Sequence, residues 1–494
     1  MSPTPPPAGD ELAWSALYRC VRTRLHGLLD VIDSSPLPKN RRLDPATFDA
    51  LVARRRSERH LTDGVLAKRA ERLAWVQNSI LEASIATMPR AVRRRWRGSV
   101  GVDATPVPAF SRADQRVRGK GPRARRALLL TAADPDADLY VRTGGSEGPS
   151  PRARGEPKLR SFVFAYEATL VVAGNDDPTT DAPFPPLVVG MPPLHRPGTG
   201  VGPNAITALA SVAGRGHPTG WLAGDRAYTN AVAEDFQLPA RSLGYQPVLD
   251  YRVDQLGVQG SHAGALHVEG AFYCPGMPAA LINATSDYRA GRIDETTWHT
   301  RIEARRDFLL RPKAKPDAEG HIRYLCPASD GAPTGRCELK PRSIERTTSA
   351  TTRIPVTDEL RANPPEICTQ QTVTFPPTAG AKLAQRLHFG SQEWAATYHT
   401  LRNTIEGMNG IAKDGAYAAL ADPSRRRIRG VAAQSLFAAL LLMATNINAI
   451  TSFLRRARPD THGTLRRPRR RRRTTTPLGN WAPTIATRGG APPP

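Results

Sequence analysis

The stretch Y-H-T-L-R-N-T-I-E-G-M-N-G-I-A-K-D-G, residues 398–415, holds the side chains with the most evident capacity for chemistry. Wound as a helix at roughly 100° per residue, it brings Tyr398, Arg402, Glu406, Asn409 and Lys413 within about an 80° arc. Leu401, Ile405, Met408, Ile411 and Ala412 gather on the other side, the face such a helix buries. Alone, this is a solvated surface helix with an i,i+4 Arg–Glu pair worth roughly 0.2–0.5 kcal/mol. Two further carboxylates change the weighing. Asp103 lies in the β-branched run S-V-G-V-D-A-T-P-V, and Asp225 ends the strand-like W-L-A-G-D. Taken singly, Asp103 reads as a turn residue before Thr105 and Pro106, and Asp225 as a helix cap. Strand ends, however, are where α/β sheets place their chemistry. Three carboxylates brought together raise one another's pKa unless cations sit among them, so a cluster of Asp103, Asp225 and Glu406 implies a divalent metal. Oxygen-only donors suit Mg²⁺, and two such ions roughly 4 Å apart support phosphodiester displacement. The nearby carboxylates Glu167 and Asp250 read as structural.

The elements that must position these groups follow from composition and period. Residues 11–97 carry long helical patterns rich in arginine, including R-R-R-S-E-R-H from Arg54 and R-A-V-R-R-R-W-R from Arg90. The period then shortens to a strand at 99–107, followed by a Gly-, Pro- and Arg-rich loop to about residue 157. Strands are predicted at 159–173 and 185–191, a helix from 204, a strand from 220, a helix over 230–243 and a strand from 246. Strands followed by alternating helix and strand predict an α/β domain with a mixed sheet. Between 253 and 387 the alternation is lost and four of the five cysteines appear, which marks an inserted subdomain. The core resumes over 388–457 with the helix described above and a second, apolar one from Val431. Residues 1–10 and the Arg-rich tail 458–494 have too little apolar surface to offset ordering entropy and are expected to be disordered.

At 494 residues the chain has room for about three domains. A net charge of +24 and a pI near 10.6 favour a polyanionic partner, nucleic acid before an anionic membrane. The longest apolar run, around 436–444, is too short to span a bilayer, and the N-terminus lacks the basic and apolar regions of an export signal. A cytoplasmic location is expected, and an odd count of five cysteines makes a disulfide framework an unfavoured reading.

V-D-A-T-P-V, A-G-D-R-A-Y and Y-H-T-L-R-N-T-I-E-G-M-N-G-I-A-K together resemble the three catalytic blocks of bacterial DDE insertion-sequence transposases, in the group with the Y, R, E, K signature. That signature leaves two, three and six residues between its four members; here the last two gaps agree and the first, Tyr398 to Arg402, is three residues. The similarity covers roughly residues 99–456. It implies an RNase H-like core in two parts, 98–252 and 388–457, with a strand-rich insertion (253–387) before the glutamate helix. It also implies Asp103, Asp225 and Glu406 as catalytic ligands of Mg²⁺ or Mn²⁺, with Tyr398, Arg402 and Lys413 toward DNA. The activity implied is hydrolysis at the element's inverted-repeat ends and joining of the freed 3′ hydroxyls to target DNA, by a homodimer on double-stranded DNA in the nucleoid. The basic region 11–97 would recognise the ends and the tail would add sequence-independent affinity. A transposase-derived DNA-binding protein without catalysis is the rival reading, and a stand-alone nuclease a third; the intact carboxylates argue against the former.

Cys274, Cys326, Cys337 and Cys368 admit two readings, a Cys₄ zinc site that holds the insertion together or free buried thiols. The lack of any C-x₂-C pair favours the thiols.

Overall fold

A computed structural model describes residues 7–117, 127–143, 160–329 and 332–456. The basic tail 458–494 and residues 1–6 of the expected disordered start lie outside the described residues.

Three capped helices lead the chain: α1 (Glu11–Ile32), α2 (Pro45–Glu58) and α3 (Asp63–Ala86). Asp10, Asp44 and Thr62 each accept a backbone N–H from the first turn, which satisfies a donor the helix leaves unpaired. Their burial differs sharply. α2 buries no residue and α1 only Ile32, whereas α3 buries Leu73, Gln77, Asn78, Leu81, Ser84 and Ile85. Asn78 donates to the carbonyl of Met191 (2.8 Å) and accepts its N–H (3.0 Å), so α3 is stitched to the sheet and belongs to its core. The basic N-terminal region is thus not one layer: its third helix is structural.

The sheet contains β1 (Val100–Pro108), β2 (Asp138–Thr143), β3 (Arg160–Ala173), β4 (Leu187–Gly190), β5 (Trp221–Gly224) and β6 (Gln246–Val248). Its order is β2-β3-β1-β5-β6, with β4 also on β3. Strands β1 to β4 pair antiparallel, while β1, β5 and β6 run parallel. The chain is therefore mixed α/β, a mixed sheet flanked by helices. The stretch that composition marks as loop is a correction: it holds β2 and, in a separate two-stranded sheet, Gln115–Val117 paired with Ala127–Leu130. Gly- and Arg-rich flanks hide β2, but the 14-residue β3 leaves an edge that Asp138–Thr143 covers. The helix expected over 230–243 is also shorter, Gln237–Ser242, preceded by a separate turn Arg226–Asn230. The break lets Tyr228 and Phe236 pack ring to ring in the core, centroids 5.0 Å apart.

Each face of the sheet has its own apolar cluster. Val100 and Val102 of β1 meet α4 (Val201–Gly214) and the end of α3 on one face. On the other, Leu170 and Val172 of β3 meet α5 (Gln392–Lys413) and α6 (Val431–Arg456). By length and composition α6 passes as a membrane-crossing helix, yet Ala438, Ala439 and Leu442 are fully buried in this cluster, as in the core helix of a globular domain. Between β6 and α5 the insertion forms two three-stranded sheets around a third cluster. A buried ion pair, Arg305 to Glu269 at 2.5 Å, supports it, with Thr285 also donating to Glu269.

Candidate active site

Asp103 owes its place to a register. Parallel pairing sets Val102 of β1 opposite Gly224 of β5, so the next residues, Asp103 and Asp225, stand side by side where β5 stops. Asp103 itself is mid-strand, since β1 continues to Pro108. Asp225 caps the Arg226–Asn230 turn, its Oδ1 accepting the Ala227 N–H at 2.8 Å.

Helix α5 brings Glu406 to the same place because it lies directly on β1. Even residues of β1 face α4 and odd ones face α5; a Cβ on Gly101 would stand 2.9 Å from the Leu401 carbonyl and 3.0 Å from Ile405 Cβ. Only glycine allows this approach. Arg402, one turn before Glu406, then lies between the carboxylates: its Nη2 donates to Glu406 at 2.7 Å and its Nη1 is 3.8 Å from Asp103 Oδ2. Asn409 Nδ2 donates to the same Asp103 oxygen at 3.1 Å.

Burial, with lesser help from the charges of Asp225 and Glu406, raises the Asp103 carboxyl to about 6, although Arg402 pulls the other way. Burial works to lower the Arg402 pKa, but Asp103, Tyr398, Glu406 and Asp225 outweigh it and raise it. Arg402 thus acts as a resident counter-charge for the acidic cluster. Two buried polar atoms here lack a hydrogen-bond partner, Arg402 Nη1 and Asn409 Oδ1. Unpaired buried polar atoms are costly, and in a site they mark where a ligand completes the network. Three hard carboxylates, one buried among like charges, and an unpaired amide oxygen beside them fit a divalent cation. The oxygens of the three carboxylates do not all lie within 4.8 Å of one another, and Arg402 sits between Asp103 and Glu406. Among the described residues, the set of such donor atoms lying within 4.8 Å of one another is Asp317, Glu319 and His321 in the insertion. That set is an exposed turn in which Asp317 accepts the backbone N–H groups of Glu319 and His321, a sufficient account of it.

Two residues of the expected stripe sit elsewhere. Tyr398, expected toward DNA, is buried: it stacks on Trp394 with ring centroids 5.1 Å apart and points its hydroxyl at the Gly224 carbonyl, 3.4 Å away. Burial raises its pKa well beyond that of an ordinary tyrosine. Ile411, expected inside, is 40% exposed, while its neighbour Ala412 is fully buried. Lys413 is half-buried at the end of α5. Asp250 is occupied by Arg226 (2.8 Å) and Arg289 (3.4 Å), and Glu167 accepts the Gly198 N–H at 2.9 Å. The residue missed from sequence is Asn409. Its place on the stripe was the available signal, but its contact with Asp103, 306 positions away, required the fold.

Compared with protein-family models, with curated proteins and with solved structures, the chain matches none of them.

Proposed function

We propose that this chain is a DDE-type DNA transposase, with the β2-β3-β1-β5-β6 sheet as an RNase H-like catalytic core that cleaves phosphodiester bonds at element ends and joins them to target DNA. The observation that supports it is that Asp103 stands beside Asp225 through the β1–β5 register and shares Arg402 with Glu406, which brings three segments remote in the chain to one side of the sheet. These three carboxylates would hold Mg²⁺ or Mn²⁺, which when bound supplies a Lewis acid for the attacking and leaving oxygens. The chain's own residues do the rest. Asn409 fixes the direction of Asp103, so that its ionised oxygen is presented without a search over rotamers. Arg402 neutralises Asp103 and Glu406 until DNA arrives, then turns its Nη1, which makes no hydrogen bond here, to a phosphate, for which the guanidinium fork is suited. Lys413, about two turns beyond Glu406, adds a point charge toward the same strand. Arg19, Arg22 and Arg24 of α1 and Arg54 and Arg56 of α2 are exposed on helices that pack little, and we assign them to the DNA backbone of the element ends. A homodimer holding two ends, acting in the cytoplasm on nucleoid DNA, completes the reading.

The test is incubation of the purified protein with labelled DNA carrying its gene's own flanking sequences and Mg²⁺. Nicking at the element ends followed by joining to a second DNA is the expected result, with both steps lost in Asp103→Asn and Asp225→Asn. Binding without cleavage would make the chain a transposase-derived DNA-binding protein, and cleavage without joining a nuclease.

A further inference from the structure

The insertion has little regular structure for its length, and its core gathers four cysteines from four separate segments. Cys274 follows the strand Ala271–Tyr273, Cys326 follows the strand Ile322–Leu325, Cys337 lies in an irregular loop, and Cys368 sits in the turn Glu366–Thr369. All four are buried in one cluster with Phe272, Ile354 and Phe375. Ordinary apolar cysteines need nothing more than such packing.

Three of them, however, share a backbone device. Cys274, Cys326 and Cys337 each open a four-residue turn, C-P-G-M, C-P-A-S and C-E-L-K. In each the fourth residue's N–H donates to the cysteine carbonyl: Met277 to Cys274, Ser329 to Cys326 and Lys340 to Cys337, all at 3.0 Å. In each the third residue's amide, Gly276, Ala328 or Leu339, is hydrogen-bonded to the cysteine sulfur, although the neighbouring Cys326 and burial raise the Cys274 thiol and burial raises that of Cys337. An N–H pointed at sulfur is of little use to a neutral thiol, a weak acceptor, but it stabilises a thiolate. Lys340, nearly buried and donating to the Gln370 carbonyl at 2.7 Å, adds positive charge beside the cluster.

We propose that Cys274, Cys326, Cys337 and Cys368 bind one structural Zn²⁺ as a tetrathiolate that locks the insertion in front of the glutamate helix. Four thiolates saturate tetrahedral zinc and leave no position for water, so the role is structural and separate from the carboxylate site. Binding replaces four S–H bonds by four Zn–S bonds and releases the four protons to solvent. The sulfurs are not among the donor atoms gathered within 4.8 Å of one another, so the ion draws the four turns inward as it binds. The fifth cysteine, Cys20, is exposed on α1 and serves as an internal control.

The experiment uses full-length protein expressed with zinc and purified without chelators. Elemental analysis should find about one zinc per chain, and a thiol reagent should titrate Cys20 alone in the native protein and all five cysteines once zinc is stripped under denaturing conditions. Replacing zinc by Co²⁺ should produce the intense thiolate-to-cobalt charge-transfer bands of a tetrahedral sulfur site. Cys326→Ser should lose the zinc; because that variant can also fail to fold, the cobalt spectrum of the unmodified chain is the deciding measurement. Zinc-free protein whose cobalt form shows no charge-transfer bands would overturn the proposal, as would full zinc content in a folded Cys326→Ser variant. These readouts involve no DNA, so the site stands or falls independently of the transposase reading.

Discussion

Glu406 is claimed by two roles that its contacts alone do not separate. Its side chain is 56% exposed and bonded to Arg402, as a surface ion pair would be, yet it shares that arginine with the buried Asp103. Glu406→Gln keeps the shape and helix propensity and removes the charge. We expect a stability loss under about 1 kcal/mol by chemical denaturation, since exposed pairs contribute little. Cleavage and joining should disappear while binding to end DNA persists, because the arginine surfaces are unchanged; cleavage near the wild-type rate would remove the carboxylate site from the mechanism. Asn409 offers a graded test. Asn409→Ala frees Asp103 to rotate without touching a carboxylate, and should raise the Mg²⁺ concentration for half-maximal cleavage by roughly 10–100-fold, with a smaller effect on the rate at saturating metal.

At the scale of elements, the site depends on how closely α5 lies on β1. Gly101→Val would place side-chain atoms against the Leu401 carbonyl and Ile405. Overpacking of this kind costs roughly 1–3 kcal/mol, and the strain is relieved by lifting the helix that carries Glu406. Cleavage should therefore fall by about 100-fold or more, a larger effect than the thermal melt of the folded variant would suggest. Gly410 on the same helix has open space around it, so Gly410→Ala should raise stability by roughly 0.5–1 kcal/mol in the same melt.

At the scale of the whole molecule, a buried acidic knot ties the N-terminal helices to the sheet and to α6. Asp134 accepts the Tyr166 hydroxyl at 2.6 Å and the Gly430 N–H at 3.0 Å, and Asp136 accepts the Ser35 hydroxyl at 2.7 Å. Burial, reinforced by Asp136 and opposed by the Tyr166 hydrogen bond, holds the Asp134 carboxyl at about 6, above its unfolded value near ~3.9. Between these values the folded chain keeps a proton that the unfolded chain has lost. Stability from this group is therefore fully present below about pH 4 and is lost as pH rises through about 6, by up to roughly 3 kcal/mol. Asp134→Asn should flatten the pH dependence of the urea midpoint across that window. On the proposed reading, affinity for DNA would come from the entire charge distribution. Removing Arg466–Arg473, in the tail outside the described residues, should weaken binding to all DNA sequences about equally and reduce the salt slope by up to roughly 0.9 per lost contact. A loss confined to one sequence would contradict this.

Residue order alone marks β1, β3 and α5, because β-branched runs and a strong helical stripe report local backbone period whatever surrounds them. It also marks Asp103, Asp225 and Glu406 as a set, through their order and the Arg402–Glu406–Lys413 spacing. Period reports one face of one element and is silent about neighbours, so everything that depends on pairing distant segments was decided by packing. The Val102–Gly224 register sets Asp103 beside Asp225, and Gly101 admits α5. Packing turned Tyr398 inward, and it brought Asn409 onto Asp103. Strand β2 was hidden for the same reason: six residues with little pattern become a strand because β3 offers them unpaired backbone groups. The cysteines show the division most plainly, since their spacing lacks any tight pair, yet the tertiary structure buries all four in one core by folding segments that span almost a hundred residues into repeated turns.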